Sequence, residues 1–239
     1  MLGILALLLL AALVCARLGA WQLDRARERG EQAAERAAAQ EAQAPPVPLA
    51  DLLSPQTALT QDALGRRVVV TGTYVPGTEL VVPGQERAGR AGSVLLAALR
   101  VDDAEGAVLP VARGWVALGT ADAVRAASAG GPLAPPAGPV TLVGSLAGAE
   151  AAADARPGVV GSVSPAQLVN LWGGPIYDAS LRLDTAEPAE AADVLPLPVA
   201  SLGGGGGLEL QNLAYAAQWW IFGGFAIFLW VRLVRDEAE

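Results

Sequence analysis

Two long apolar runs, one at each end of the chain, limit its possible architectures more than any other feature. Near the C-terminus, LAYAAQWWIFGGFAIFLW (213–230) holds only two polar side chains, Tyr215 and Gln218, both close to its start. Its length approaches the roughly 20 apolar residues that a bilayer core demands. Trp219, Trp220 and Trp230 lie near its ends, where amphipathic rings suit the headgroup layer, and Arg232 and Arg235 follow. At the N-terminus, residues 2–16 carry no charge, and with Arg17 snorkelling outward the helix can continue through Leu18 and Trp21. The reading is a transmembrane helix over 1–21, a second over 213–231, and a cytoplasmic tail, 232–239. A cleaved signal peptide fits less well, because no positively charged stretch precedes the run. A lipid anchor at Cys15 is disfavoured by the bulky Val14 before it.

Between the spans the pattern changes twice. Residues 22–44 are mostly Ala, Glu, Gln and Arg, good helix formers, until Pro45 and Pro46 intervene; Arg27, Glu31 and Glu35 share a face, as in a solvated helical stalk. Over 45–202, short β-branched runs alternate with Gly and Pro turns: RRVVVTGTYVPGTELVV, SVLLAALRVDD, AVLPVARGWVALG, PVTLVGSLAG and IYDASLRLDTAEP. SPAQLVNLWG supplies one short helix, with Ser164 as N-cap, Pro165 in the first turn, and Leu168, Leu171 and Trp172 apolar. The expected fold is a mainly-β, antiparallel barrel or sandwich-like domain with one short helix, flanked by two membrane helices. A glycine-rich tether, 203–212, leads to the second helix.

Composition removes whole classes of chemistry. The chain has no histidine, no lysine and a single cysteine. Imidazole bases, histidine triads, the common zinc sites and intramolecular disulfides are therefore absent. A net charge of −8 argues against a nucleic-acid partner. Arginine in place of lysine, with abundant Ala, Gly and Pro, is the bias of a high-GC bacterium of actinobacterial type. Asp102, Asp103 and Glu105 share one turn, where clustered acids usually face water, so no catalytic residues are assigned and no enzyme is expected.

Four segments carry a resemblance. LGAWQLDRARER (18–29), RRVVVTGTYVPGTELVV (66–82), VARGWV (111–116) and QNLAYAAQWWIF (211–222) are similar, in order, to landmarks of the surfeit-locus family of cytochrome c oxidase assembly factors. The resemblance implies a multi-pass protein of the bacterial plasma membrane whose central domain is extracytoplasmic. Its implied role is maturation of, or haem a insertion into, subunit I of an aa3-type haem–copper oxidase. The implied partners are subunit I, haem a synthase and the lipid bilayer. The other reading is a general membrane-tethered binding module with no oxidase role.

In proteobacterial relatives the segment entering the second helix carries a histidine proposed to ligate haem; here Leu213 or a neighbour occupies that register. The expectation is no tightly bound cofactor, no metal, and at most a transient encounter with haem a near Tyr215 and Gln218. Trp21, Gln22, Arg25, Arg113, Trp115, Trp219 and Trp220 are the expected partner-contact or helix-packing residues. Gln22, Arg25, Tyr215 and Gln218 fall near one membrane face if both helices end outside the cytoplasm. A simple positive-inside count, with Arg17, Arg25, Arg27 and Arg29 after the first span, opposes that orientation. A connecting domain of this length translocates largely regardless of charge, and Arg232 and Arg235 favour a cytoplasmic C-terminus.

Overall fold

A computed structural model describes residues 2–197 and 210–238. The expected tether lies outside these residues except for 210–212, which begin a helix. The chain forms two compact units, one holding the terminal helices and the other spanning Ala38–Gly203.

The terminal unit is an antiparallel helix pair. Helix α1 runs without a break over Leu2–Gln43, so the first apolar run and the stalk are one helix. The C-terminal helix covers Leu210–Ala238. Both are long and apolar enough to cross a membrane, over Ala6–Gly30 and Ala214–Arg232. Small residues form the seam. A side chain at Gly19 would collide with the Trp220 ring, and one at Gly223 would meet Cys15 Cβ at 3.2 Å and the Ala12 carbonyl at 3.6 Å. As numbers fall along α1 they rise along its partner, which fixes the antiparallel sense. Ala26, Ala216 and Ala226 are buried along the same seam. Small residues let backbones approach closely, a main source of attraction between helices in lipid.

The central unit contains β1 (Val47–Pro48), β2 (Arg67–Tyr74), β3 (Leu80–Arg87), β4 (Arg90–Val101), β5 (Val108–Val116), α2 (Thr120–Ala127), β6 (Pro139–Ala147), β7 (Ala155–Arg156), β8 (Val159–Val160), α3 (Pro165–Trp172) and β9 (Ser180–Glu187). The membrane-capable C-terminal helix is α4. Strands β2, β6, β9, β5 and β4 close a ring, because the end of β4 returns to β2 at Leu99–Tyr74. All ring pairings are antiparallel except β5 with β9. Counting ring strands in chain order, the circuit runs first, second, third, fifth, fourth, the Greek-key closure of oligonucleotide/oligosaccharide-binding barrels. Topology alone says nothing about ligand.

Strands β4 and β5 outgrow the ring. Their barrel halves contribute Ala97, Leu99, Leu109 and Val111 to the lumen, beside Val68, Val70, Leu142, Leu146 and Leu181. Their distal halves join β3 in an open extension whose edge continues through the short strands β8 and β7. One face of that extension, Val160 of β8 included, packs under α3 through Val94, Leu96, Ala112 and Leu168. The other packs under α2 and a later segment through Leu95, Val116, Ala123, Leu133 and Val194. Every residue of β5 is buried, so the strand is apolar at every position but Arg113 instead of alternating. Each fully buried leucine here contributes about 1.5–3 kcal/mol.

The expected helix at 165–172 is present, with Pro165 in its first turn. Ser164 is its N-cap, yet its hydroxyl makes no capping bond; its backbone carbonyl accepts from Gln167 and Leu168 instead. A second helix, α2, starts at Gly119, which lacks any capping side chain, and so leaves a weak signature in the sequence.

Candidate functional site

The four motifs meet in pairs. In the helix pair, Gly19 of LGAWQL receives Trp220 of QWW. In the barrel unit, Tyr74 of the second motif lies beneath Arg113 of the third, with the guanidinium carbon 5.7 Å from the ring centroid.

Arg113 owes its position to a β-bulge. Leu96 pairs with Ala112 and Leu95 with Gly114, so Arg113 is the extra residue in β5, at the junction of barrel and extension. A bulge re-aims its side chain, and this one turns inward. A strand arginine must find water or a carboxylate; Arg113 finds the carboxylate. Its side chain is 1% exposed and grips Glu190, itself 11% exposed. Nε donates to Glu190 Oε1 at 3.0 Å and Nη2 to Oε2, a bidentate pair. Nη1 donates to the Leu133 carbonyl at 2.8 Å and Nη2 also reaches the Ala134 carbonyl at 3.5 Å. One guanidinium thus joins β5, the loop after α2 and the segment after β9.

Tyr74 is buried and its hydroxyl has no hydrogen-bond partner. Burial and the Glu190 charge both raise its pKa, against the opposing pull of Arg113. The phenol is therefore a neutral packing group and unsuited to acid–base work near pH 7. Tyr177 is raised by burial as well, and burial lowers Arg182 against the nearby Asp184.

Trp115 is 3% exposed. Its ring covers Gly92, where any side chain would strike it, and its Nε1 donates to the Gln85 carbonyl at 2.9 Å. Its backbone exchanges two hydrogen bonds with Leu195, at 2.7 and 2.9 Å. Sequence reasoning singled out Arg113 and Trp115 but missed Glu190, whose acidic stretch, PAEAAD, looks like ordinary surface.

The other candidates lie on the helix pair. Trp21 and Tyr215 are exposed, Gln22 and Trp219 are half-buried, and Gln218 is exposed. Arg25 pairs with Glu28 at 3.3 Å on the outer face of α1. Among the described residues, Tyr215 and Gln218 make no side-chain hydrogen bond to α1. Trp219 packs edge-on against Phe222, 6.1 Å between centroids. The donor set does not fit a histidine-ligated haem: there is no imidazole in the chain, and Cys15 is turned into the helix seam against Gly223.

Elsewhere, Asp103, Glu105, Gln56, Pro55, Ala104 and Pro175 line a shallow hollow of about 350 Å³. Asp102, Asp103 and Glu105 are exposed. No group of three or more His, Cys, Asp or Glu able to hold a metal occurs among the described residues. On the extension, one face of β4 and β5 is covered by α3.

A family model described as the SURF1 family matches residues 9–224, most of α1, the whole barrel unit and the first half of α4. No curated protein matches the chain.

Proposed function

The chain belongs to the SURF1 family, known for cytochrome oxidase assembly, and on that premise we propose that it is a membrane-anchored, non-catalytic assembly factor for an aa3-type oxidase. Family members are assembly factors rather than enzymes, and the membrane-capable helices agree with a membrane protein. The observation that carries the reading is the match across both helices and the barrel, together with the pairwise meeting of the four motifs.

In this reading both termini are cytoplasmic and the barrel is extracytoplasmic: the antiparallel helix pair puts both termini on one side of the bilayer, and Arg232 and Arg235 favour the cytoplasmic side. The partner is oxidase subunit I, at the stage where haem a enters it, with haem a synthase nearby. The absence of histidine supports handling of haem a through protein contacts, with no imidazole ligation of the iron and no tightly held cofactor. Tyr215, Gln218 and Trp21 lie exposed on the helix pair and offer polar and aromatic contacts to a neighbouring transmembrane helix.

Deleting the gene in the native host and recording reduced-minus-oxidised membrane spectra tests the proposal. Loss of the haem a signal and of oxidase activity is expected; undiminished signal and activity would overturn it. Co-purification distinguishes the general binding module, which would recover neither subunit I nor haem a synthase.

A further inference from the structure

Residues 188–197 follow β9 and form neither a strand nor a helix. They contrast sharply with the surface they cross. Of these ten residues only Val194 is buried among its apolar neighbours, whereas β5 beneath is buried throughout. The segment is held by a short series of contacts. Glu190 clasps Arg113, Val194 packs against Gly114, Leu195 pairs with the Trp115 backbone, and the Pro196 carbonyl accepts from Arg87 Nη1. The consecutive triplet Arg113–Gly114–Trp115 is its dock. Gly114 is required there because a Cβ would lie 2.5 Å from Val194 Cγ1 and 2.7 Å from the Leu195 carbonyl oxygen.

We propose that residues 188–197 form a releasable strap, latched by the Arg113–Glu190 pair, whose opening lengthens the connection between the barrel and α4. The proposal rests on the assembly-factor reading, since a barrel that must reach a partner gains from a longer leash. Segments with few buried apolar contacts and exposed backbone open at lower free energy than the core they lie on. Ten released residues add up to about 35 Å of extended chain. The buried ion pair keeps the strap closed at rest, and the barrel lumen shares none of its side chains.

Hydrogen exchange on the full-length protein in lipid nanodiscs tests the opening. The amides of Val194 and Leu195 should exchange roughly tenfold or more faster than those of Val111 and Ala112. Glu190→Gln should raise strap exchange about another tenfold, with β2, β6 and β9 still exchanging more slowly than the strap. Exchange of the strap together with the barrel, or no response to Glu190→Gln, would overturn the proposal.

A lock tests its use. Cysteines at 115 and 195, in a Cys15→Ser background, replace an antiparallel pair that exchanges two backbone hydrogen bonds, a Cα separation of about 5.5 Å that a disulfide can span. Oxidation should suppress strap exchange and lower oxidase maturation severalfold, and inserting about ten Gly and Ser residues at Gly205 should restore it. Normal maturation with the strap locked, or no restoration by the insertion, would sink the reach argument. If gene deletion leaves the oxidase intact, the assembly reading fails while the exchange result still decides whether the strap opens.

Discussion

Arg113 shows how much can depend on one bulged residue. Its bidentate carboxylate and two carbonyls satisfy a charge that would otherwise be stranded, and breaking such a pair leaves its partner buried and uncompensated. Arg113→Ala should therefore destabilise the barrel unit by about 3–5 kcal/mol in urea unfolding. Replacing both partners, as Arg113→Met with Glu190→Leu, should recover most of that loss. Tyr74→Phe removes a hydroxyl that has no partner, so it should leave stability unchanged or slightly raised. The pH dependence follows from the same phenol. Burial raises Tyr74 and Tyr177 above their ordinary value of 10.0. Above about pH 10 the unfolded chain loses these protons while the folded chain keeps them, so the unfolded state binds fewer. Stability is thus full below about pH 10 and falls as pH rises beyond it. Denaturant titrations across pH 8–11.5 should show this decline, with a shallower slope in Tyr74→Phe.

At the scale of elements, the helix pair is held by shape. Gly19→Leu forces the Trp220 ring out of its seat and should cost about 1–3 kcal/mol of helix association, read by steric trapping in bilayers and by a shift in Trp220 emission. Gln218 points away from α1, so Gln218→Leu should change association by less than about 0.5 kcal/mol. If Gln218 serves a partner helix, the same variant should lower oxidase maturation without loosening the pair. In the barrel unit, the bulge at Arg113 marks where β4 and β5 pass from a closed ring into an open sheet. Shifting one residue across that point would exchange the lumen and outer sets of side chains.

For the whole molecule, the antiparallel helices make orientation a single question. A cysteine at Asp102, exposed at the β4–β5 turn, should react with a membrane-impermeant thiol reagent in wall-stripped cells, while Cys15 stays unlabelled. Protection of the new cysteine until lysis would place the barrel in the cytoplasm. Position 102 suits the test better than Asp103, Glu105 or Gly106, whose positive φ values make substitution there a conformational change in itself.

What the sequence determined alone is what local pattern encodes. Apolar run length specified the two membrane-capable helices, period and turn residues the β-rich domain, Pro165 the start of α3, and the missing histidine the ligand chemistry that is closed to the chain. The tertiary structure decided whatever depends on register between distant strands. That β4 closes onto β2, that Arg113 is the extra residue of a bulge, and that Glu190 in an unremarkable acidic stretch is its counter-ion all follow from pairings across dozens of residues. No periodicity within a segment carries that information, because a strand's pattern names its buried faces and leaves its neighbour open. The same holds for Gly19 and Trp220, each ordinary in a membrane helix, whose contact exists only because helices at opposite ends of the chain pack antiparallel.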